Sequence, residues 1–200
     1  MKRDAYNALP QIKLAADVGF ILPDAYDPQR VRADTPAIEV MTDLRRVPAA
    51  TINPDTALAE ANQAMILRGV RSLLVTTEDR RVVGLVTSAD ILGEKPLQIV
   101  RERGVRHDEV VVGDVMTPSA KLDALDLGEV LRADVGHVVA TLRNSGRQHA
   151  LVTTTVAGGR QMIRGIFSAS QIARQLGIAL NATEVARTFA EIEAAIAGQN

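Results

Sequence analysis

Apolar positions along this chain change their period in a fixed order, and then do so a second time. A short extended segment, Ala50-Thr51-Ile52, is broken at Pro54-Asp55-Thr56, where Asp55 or Thr56 offers an N-cap. From there to about Leu67 the apolar residues follow helical spacing, with Leu58, Ala61 and Met65 on one face. Gly69 closes this helix. Ser72 to Thr77 is a β-rich run, Glu78-Asp79-Arg80-Arg81 is a polar turn, and Val82 to Val86 is a second apolar run, so the pair reads as a hairpin. Ser88 is then placed to cap a second helix through Asp90-Ile91-Leu92. The predicted order is β-α-β-β-α.

The same order returns downstream. Val40-Met41-Thr42 recurs as Val115-Met116-Thr117, Gly69 as Gly146, and Leu73-Leu74-Val75-Thr76-Thr77 as Ala150-Leu151-Val152-Thr153-Thr154. Gly84-Leu85-Val86-Thr87-Ser88-Ala89-Asp90-Ile91 recurs as Gly165-Ile166-Phe167-Ser168-Ala169-Ser170-Gln171-Ile172. The offsets are 75, 77 and 81, so the second copy carries insertions, one of them the turn Ala157-Gly158-Gly159-Arg160. In this copy the pattern predicts a helix from Val135 to Asn144, strands at 149–155 and 161–167, and a last helix from about Ala169. Connections this short require sheet and helices to stack in two layers. One copy of 55–60 residues buries only a marginal core, which two copies packed sheet to sheet would remedy. The expected fold class is therefore α+β, two βαββα units packed through their sheets with pseudo-two-fold symmetry.

Composition narrows the function. Of 200 residues, 46% are apolar but only 2% aromatic, so branched aliphatics must fill the core. The balance of 23 Lys+Arg against 24 Asp+Glu argues against a nucleic-acid binder. There is no cysteine, which excludes disulfides and thiolate metal sites. No apolar run is long enough to span a membrane, and the first residues do not read as a signal peptide, so a soluble, cytoplasmic protein is expected.

The repeated β-α-β-β-α copy, its Met-Thr opening, the Gly after the first helix and the Gly-Leu-Val-Thr-Ser-Ala-Asp at the hairpin-to-helix junction resemble a cystathionine-β-synthase (CBS) domain. Two in tandem resemble a Bateman module, over about residues 38–178. The resemblance implies a regulatory module that binds AMP, ADP, ATP or an S-adenosylmethionine-like ligand, meets an unidentified effector protein, and forms a homodimer. It also implies nucleotide contacts at Thr87 and Asp90. A carboxylate one turn into the helix can accept both ribose hydroxyls, and a Thr at the entrance can reach the ribose or first phosphate. Ser88 lies in the same junction, Arg71 resembles a phosphate-facing position, and Thr51-Ile52 with the hairpin strands are candidates for an adenine slot. The plainer reading of these residues is local: Asp suits the first turn of any helix, and Ser88 is a common cap.

In the second copy Ser168 keeps the hydroxyl, but Gln171 replaces the aspartate and Gln148 stands where the first copy has Arg71. A neutral amide accepts more weakly than a carboxylate, so Ser168/Gln171 is expected to be the weaker site. His107, His137 and His149 have no metal-ligand spacing and no nucleophile partner, and Gly158-Gly159 is a turn rather than a phosphate loop. With no catalytic constellation, an enzyme is disfavoured. The alternative to a nucleotide sensor is a ligand-free dimerising scaffold; Asp90 favours the first and Gln171 the second.

The expected organisation is an N-terminal arm (1–37), a first domain (38–95), a connector (96–110), a second domain (111–178) and a C-terminal helix (179–200). The arm holds Tyr6, Phe20 and Tyr26 and reads as a segment laid on the module or on a partner. The connector is predicted to hold a helix from Pro96 to about Arg103. At the far end Asn181-x-x-Glu184 resembles a capping box, followed by the stripe Val185, Phe189, Ile192, Ile196.

Overall fold

The computed structural model describes Lys13, residues 31–177 and residues 185–197. The arm's Tyr6, Phe20 and Tyr26, the Asn181–Glu184 capping box, and the side chains of Val185 and Phe189 lie outside the described residues.

The first unit follows the predicted order: β2 (Thr51–Ile52), α1 (Leu58–Arg68), β3 (Ser72–Thr76), β4 (Val82–Thr87) and α2 (Ser88–Leu92). The second repeats it: β6 (Ala124–Asp126), α6 (Val135–Ser145), β7 (His149–Val156), β8 (Arg160–Ser168) and α7 (Ala169–Gln175). Helix α3 (Lys95–Arg103) fills the connector, α4 (Val112–Val115) follows it, α5 (Leu127–Val130) precedes α6, and α8 (Val185–Ala197) closes the chain. Helices α1 and α6 both end at a glycine with φ of 63°, Gly69 and Gly146, a left-handed cap that spares a Cβ clash. Both hairpins shift register at the corresponding place, after Val75 and after Val152.

Two helix starts differ from expectation. The cap of α1 is Ala57, not Asp55 or Thr56, and no side chain caps it. Its entry is tied down instead by the first turn of α4: Val112 N donates to Thr56 O and Gly113 N to Pro54 O. The cap of α2 is Thr87 rather than Ser88, because the Thr87 hydroxyl and the Asp90 carboxylate reciprocate in a capping box.

The remaining strands cross between units. The Met-Thr opening of the first copy, β1 (Thr42–Asp43), pairs antiparallel with β8 of the second copy. The opening of the second, β5 (Thr117–Pro118), pairs with β4 of the first. Each four-stranded sheet therefore has one strand from the other repeat, in the orders β2-β3-β4-β5 and β6-β7-β8-β1. Residues 33–37 follow the same crossing: Val135 N donates to Thr35 O and Ala37 N to Ala133 O, which ties this stretch to the start of α6.

Three apolar clusters result. One holds Leu58, Ala61 and Met65 of α1 against Leu73, Val75 and Val86. A second gathers Ala37, Val40 and Met41 with α6, Phe167, Ile172 and Ile192 of α8. The third, Leu74, Leu85 and Leu151 with Leu122 and Ile166 beside them, lies between the two sheets. Burying each Val, Leu, Ile, Met or Phe side chain among these contributes about 1.5–3 kcal/mol. Asp43 and Arg164 fasten the crossing with a two-pronged ion pair, Nη2 to Oδ2 at 2.9 Å, and the guanidinium holds the Asp43 carboxyl below the usual range.

Candidate functional site

The crossing decides which residues share a site. The first copy's opening and the end of α1 meet the second copy's hairpin-to-helix junction across a cleft of about 640 Å³. That size is typical of small-molecule sites. One wall is apolar, from Leu44, Val47, Pro48, Ala49 and Ile166. Thr51, Ser72, Ser168 and Ser170 add hydroxyls, and Arg68, Arg71 and Arg174 add guanidinium groups.

The structure thus brings Thr51 and Arg71 together with Ser168 and Gln171, and not with Asp90, which does not line this cleft. Ile52, next along β2, packs on the first core because successive strand residues face opposite ways. Thr42 Oγ1 donates to Gln171 Oε1 at 3.1 Å, so the amide faces the first copy's opening. Ser168 and Ser170 hydroxyls lie 3.1 Å apart, and Arg174 Nε donates to the Ser170 carbonyl at 3.3 Å.

The corresponding junction of the first copy is closed on itself. Asp90 is 9% exposed. Its Oδ2 accepts from Thr87 N at 2.8 Å and from Thr87 Oγ1 at 2.6 Å. Its Oδ1 pairs with the Lys95 ammonium, which also donates to Val115 O at 3.2 Å. Lys95 thus ties α2 and α3 to the end of α4. Ser88 N donates to Arg71 O at 2.9 Å, as Ala169 N does to Gln148 O. Arg71 Nε reaches Ser88 Oγ at 3.5 Å, a weak contact within the first copy.

His149 sits between the two junctions. It is 8% exposed, at the start of β7, and lines the cleft. Its pKa is lowered to about 4, first by burial and then by the Arg71 charge, with the Asp90 charge opposing. The imidazole is therefore neutral near pH 7, whereas His107 and His137 are exposed. Sequence reasoning missed His149, Lys95, Arg68 and Arg174. Thr42 was visible only as part of the repeated Val-Met-Thr, which carries no sign of its contact with Gln171. No group of described residues could hold a metal ion, and no described helix is long and apolar enough to cross a membrane.

Residues 37–96 match the family model of the CBS domain. No curated protein matches the chain. Among solved structures, an uncharacterized conserved protein from Pyrococcus horikoshii is similar at 24% identity, over 76% of this chain and 100% of that one, with a TM-score of 0.51. CBSX2 in complex with AMP is 22% identical over 70% of this chain and 93% of that one, at 0.48. The CBS domain pair of protein MJ0100, in complex with 5′-methylthioadenosine and S-adenosyl-L-methionine, is 19% identical over 72% and 96%, at 0.49. The fold is α+β, two repeated units with two four-stranded sheets. This chain carries a CBS domain at residues 37–96, and its second unit repeats the same element order.

Proposed function

We propose that the chain is a regulatory module that binds an adenine nucleotide or related adenosyl ligand, catalyses nothing, and changes how it meets an effector protein when the ligand is bound. The observation that carries this reading is the composite cleft, where an apolar wall, hydroxyls and guanidinium groups from both copies converge. Adenine would lie on the Val47–Ala49 and Ile166 side near Thr51. The ribose would meet Ser168 and the Gln171 amide, and phosphate would meet Arg71. The CBS-domain match of the first unit supports the same reading.

Thr87, Ser88 and Asp90 form a second, related ligand position in this proposal. By residue type it ranks first, because Asp90 is a carboxylate. Its geometry favours the opposite order, since a ribose there must displace Lys95 from Asp90, whereas the Gln171 cleft stands open. Titration calorimetry with AMP, ADP and ATP is expected to give one tight site per chain. Gln171→Ala should weaken it about 3- to 10-fold, the loss of one or two neutral hydrogen bonds. Two equal sites, or binding lost in Asp90→Ala but intact in Gln171→Ala, would restore the Asp90 junction as the principal one. No binding of any adenosine compound would favour a ligand-free scaffold.

A homodimer belongs to the same proposal. Ile66 and Leu67 on α1, Leu92 on α2 and Leu97 on α3 are large apolar residues left exposed, Leu67 by 77%. Leu92 and Leu97 line one surface pocket together, and these side chains would be covered in the dimer. Leu67→Glu with Leu92→Glu is expected to convert a dimer into a monomer in light scattering, with the far-ultraviolet circular dichroism spectrum unchanged. A wild-type chain that is monomeric at tens of micromolar, roughly the range of weak dimers, would count against it.

A further inference from the structure

We infer that the composite cleft selects its adenosyl ligand by charge, taking polyphosphate nucleotides and rejecting the cationic S-adenosylmethionine class. This rests on the cleft being the adenosyl site. Arg68 stands on the last turn of α1, Arg71 just beyond the Gly69 cap, and Arg174 on α7, so three guanidinium groups from two copies line one cleft. No carboxylate is among its lining residues. The one buried titratable group there, His149, is an imidazole, so it supplies no negative charge either.

The three arginines have no counterpart in the repeat. At the corresponding places of the other copy the chain has Ser145 for Arg68, Gln148 for Arg71 and Gly93 for Arg174. The related junction holds Asp90 paired with Lys95. Gln171 completes the pattern. Its amide can accept from a ribose hydroxyl and adds no negative charge to the cleft. S-adenosylmethionine carries a sulfonium and an ammonium against a single carboxylate, so its net positive charge would face three like charges in a cleft whose lining residues include no carboxylate. A triphosphate would bring several negative charges to the same three groups, in bonds of the charge-assisted kind.

The test is calorimetry on the full chain with adenosine, AMP, ADP, ATP, 5′-methylthioadenosine and S-adenosylmethionine at two salt concentrations. Affinity is expected to rise from adenosine to ATP by at least about 100-fold. S-adenosylmethionine should bind more weakly than adenosine, and salt should weaken ATP far more than adenosine. Arg174→Ala and Arg68→Ala should each weaken ATP about 10-fold, the loss of a hydrogen bond to a charged group, while leaving adenosine within about twofold. Arg174→Lys should recover part of the loss. Both alanine variants alter exposed side chains, so their thermal unfolding should match the wild type. S-adenosylmethionine binding as tightly as ATP, or Arg variants that bind ATP normally, would overturn charge selection while leaving the adenosyl site in place. If even adenosine and ATP fail to bind, the adenosyl reading itself falls, and charge selection with it.

Discussion

Gly84→Ala is expected to lower the unfolding free energy by about 2–3 kcal/mol, and Gly165→Ala by about 1 kcal/mol. The two glycines occupy the same place in the repeat, and each lies under the methionine of the other copy's opening. A Cβ on Gly84 would stand 2.6 Å from Met116 Sδ and 2.7 Å from the Thr117 carbonyl oxygen. The three atoms nearest to a Cβ on Gly165 all belong to the Met41 side chain: Sδ, Cγ at 2.7 Å and Cε at 2.8 Å. Methionine is unbranched and can swing to another rotamer, at the cost of some packing. A strand carbonyl cannot move without disturbing the pairing of Gly84 with Pro118 and Leu85 with Thr117. That pairing is the crossing that holds the second opening on the first unit. Urea unfolding of the two variants measures the difference. A Gly165→Ala, Met41→Ala double variant should lose less than the sum of its single changes, because the clash partner is gone. Equal losses at Gly84 and Gly165 would show that the Thr117 carbonyl is not the constraint.

Stability is also expected to fall by about 3 kcal/mol as pH drops from 7 to below 4, with His149 as the main cause. Its folded pKa is about 4, lowered first by burial and then by Arg71, with Asp90 opposing. In the unfolded chain it returns to its ordinary value near 6.5. Between those values the unfolded state binds the extra proton, so stability rises with pH through this window and is fully present above it. The lowered carboxyl pKa values of Asp43, Asp79, Asp108 and Asp114 act in the same direction, but at and below the ordinary carboxylate range. The stretch from about pH 4.5 to 6.5 therefore isolates the imidazole. Urea unfolding across it should show a positive slope in the wild type and a nearly flat line in His149→Gln. A slope that survives in the variant would assign it to other groups. Loss of the neighbouring cation in Arg71→Ala should raise the His149 pKa, readable from the imidazole proton shifts.

Local signals carried much of this molecule. Helical spacing placed Leu58, Ala61 and Met65 on the buried face of α1, and Gly69 and Gly146 marked both left-handed caps. Alternation and turn residues placed both hairpins, with Arg160 and Ser168 added at the ends of β8. Capping was less legible. Thr87 and Ser88 are chemically similar candidates, and the choice of Thr87 depends on Asp90 reaching back three residues. At α1 the apparent caps Asp55 and Thr56 gave way to backbone bonds from residues 112 and 113, far along the chain.

What the sequence by itself determined is the repeat and the element order within each copy, because periodicity, glycine caps and turn residues act over a few positions. It also determined the chemical types at each junction, aspartate in one copy and glutamine in the other. Only the tertiary structure decided that the two openings exchange sheets, so that Met41 meets Gly165 and Met116 meets Gly84. The same exchange set Thr51 and Arg71 in a cleft with Gln171, turned Lys95 onto Asp90, and buried His149 between the junctions. The physical reason is range. These contacts join residues tens of positions apart, and they follow from how two small sheets cover each other's apolar faces, which the local pattern of either copy does not encode.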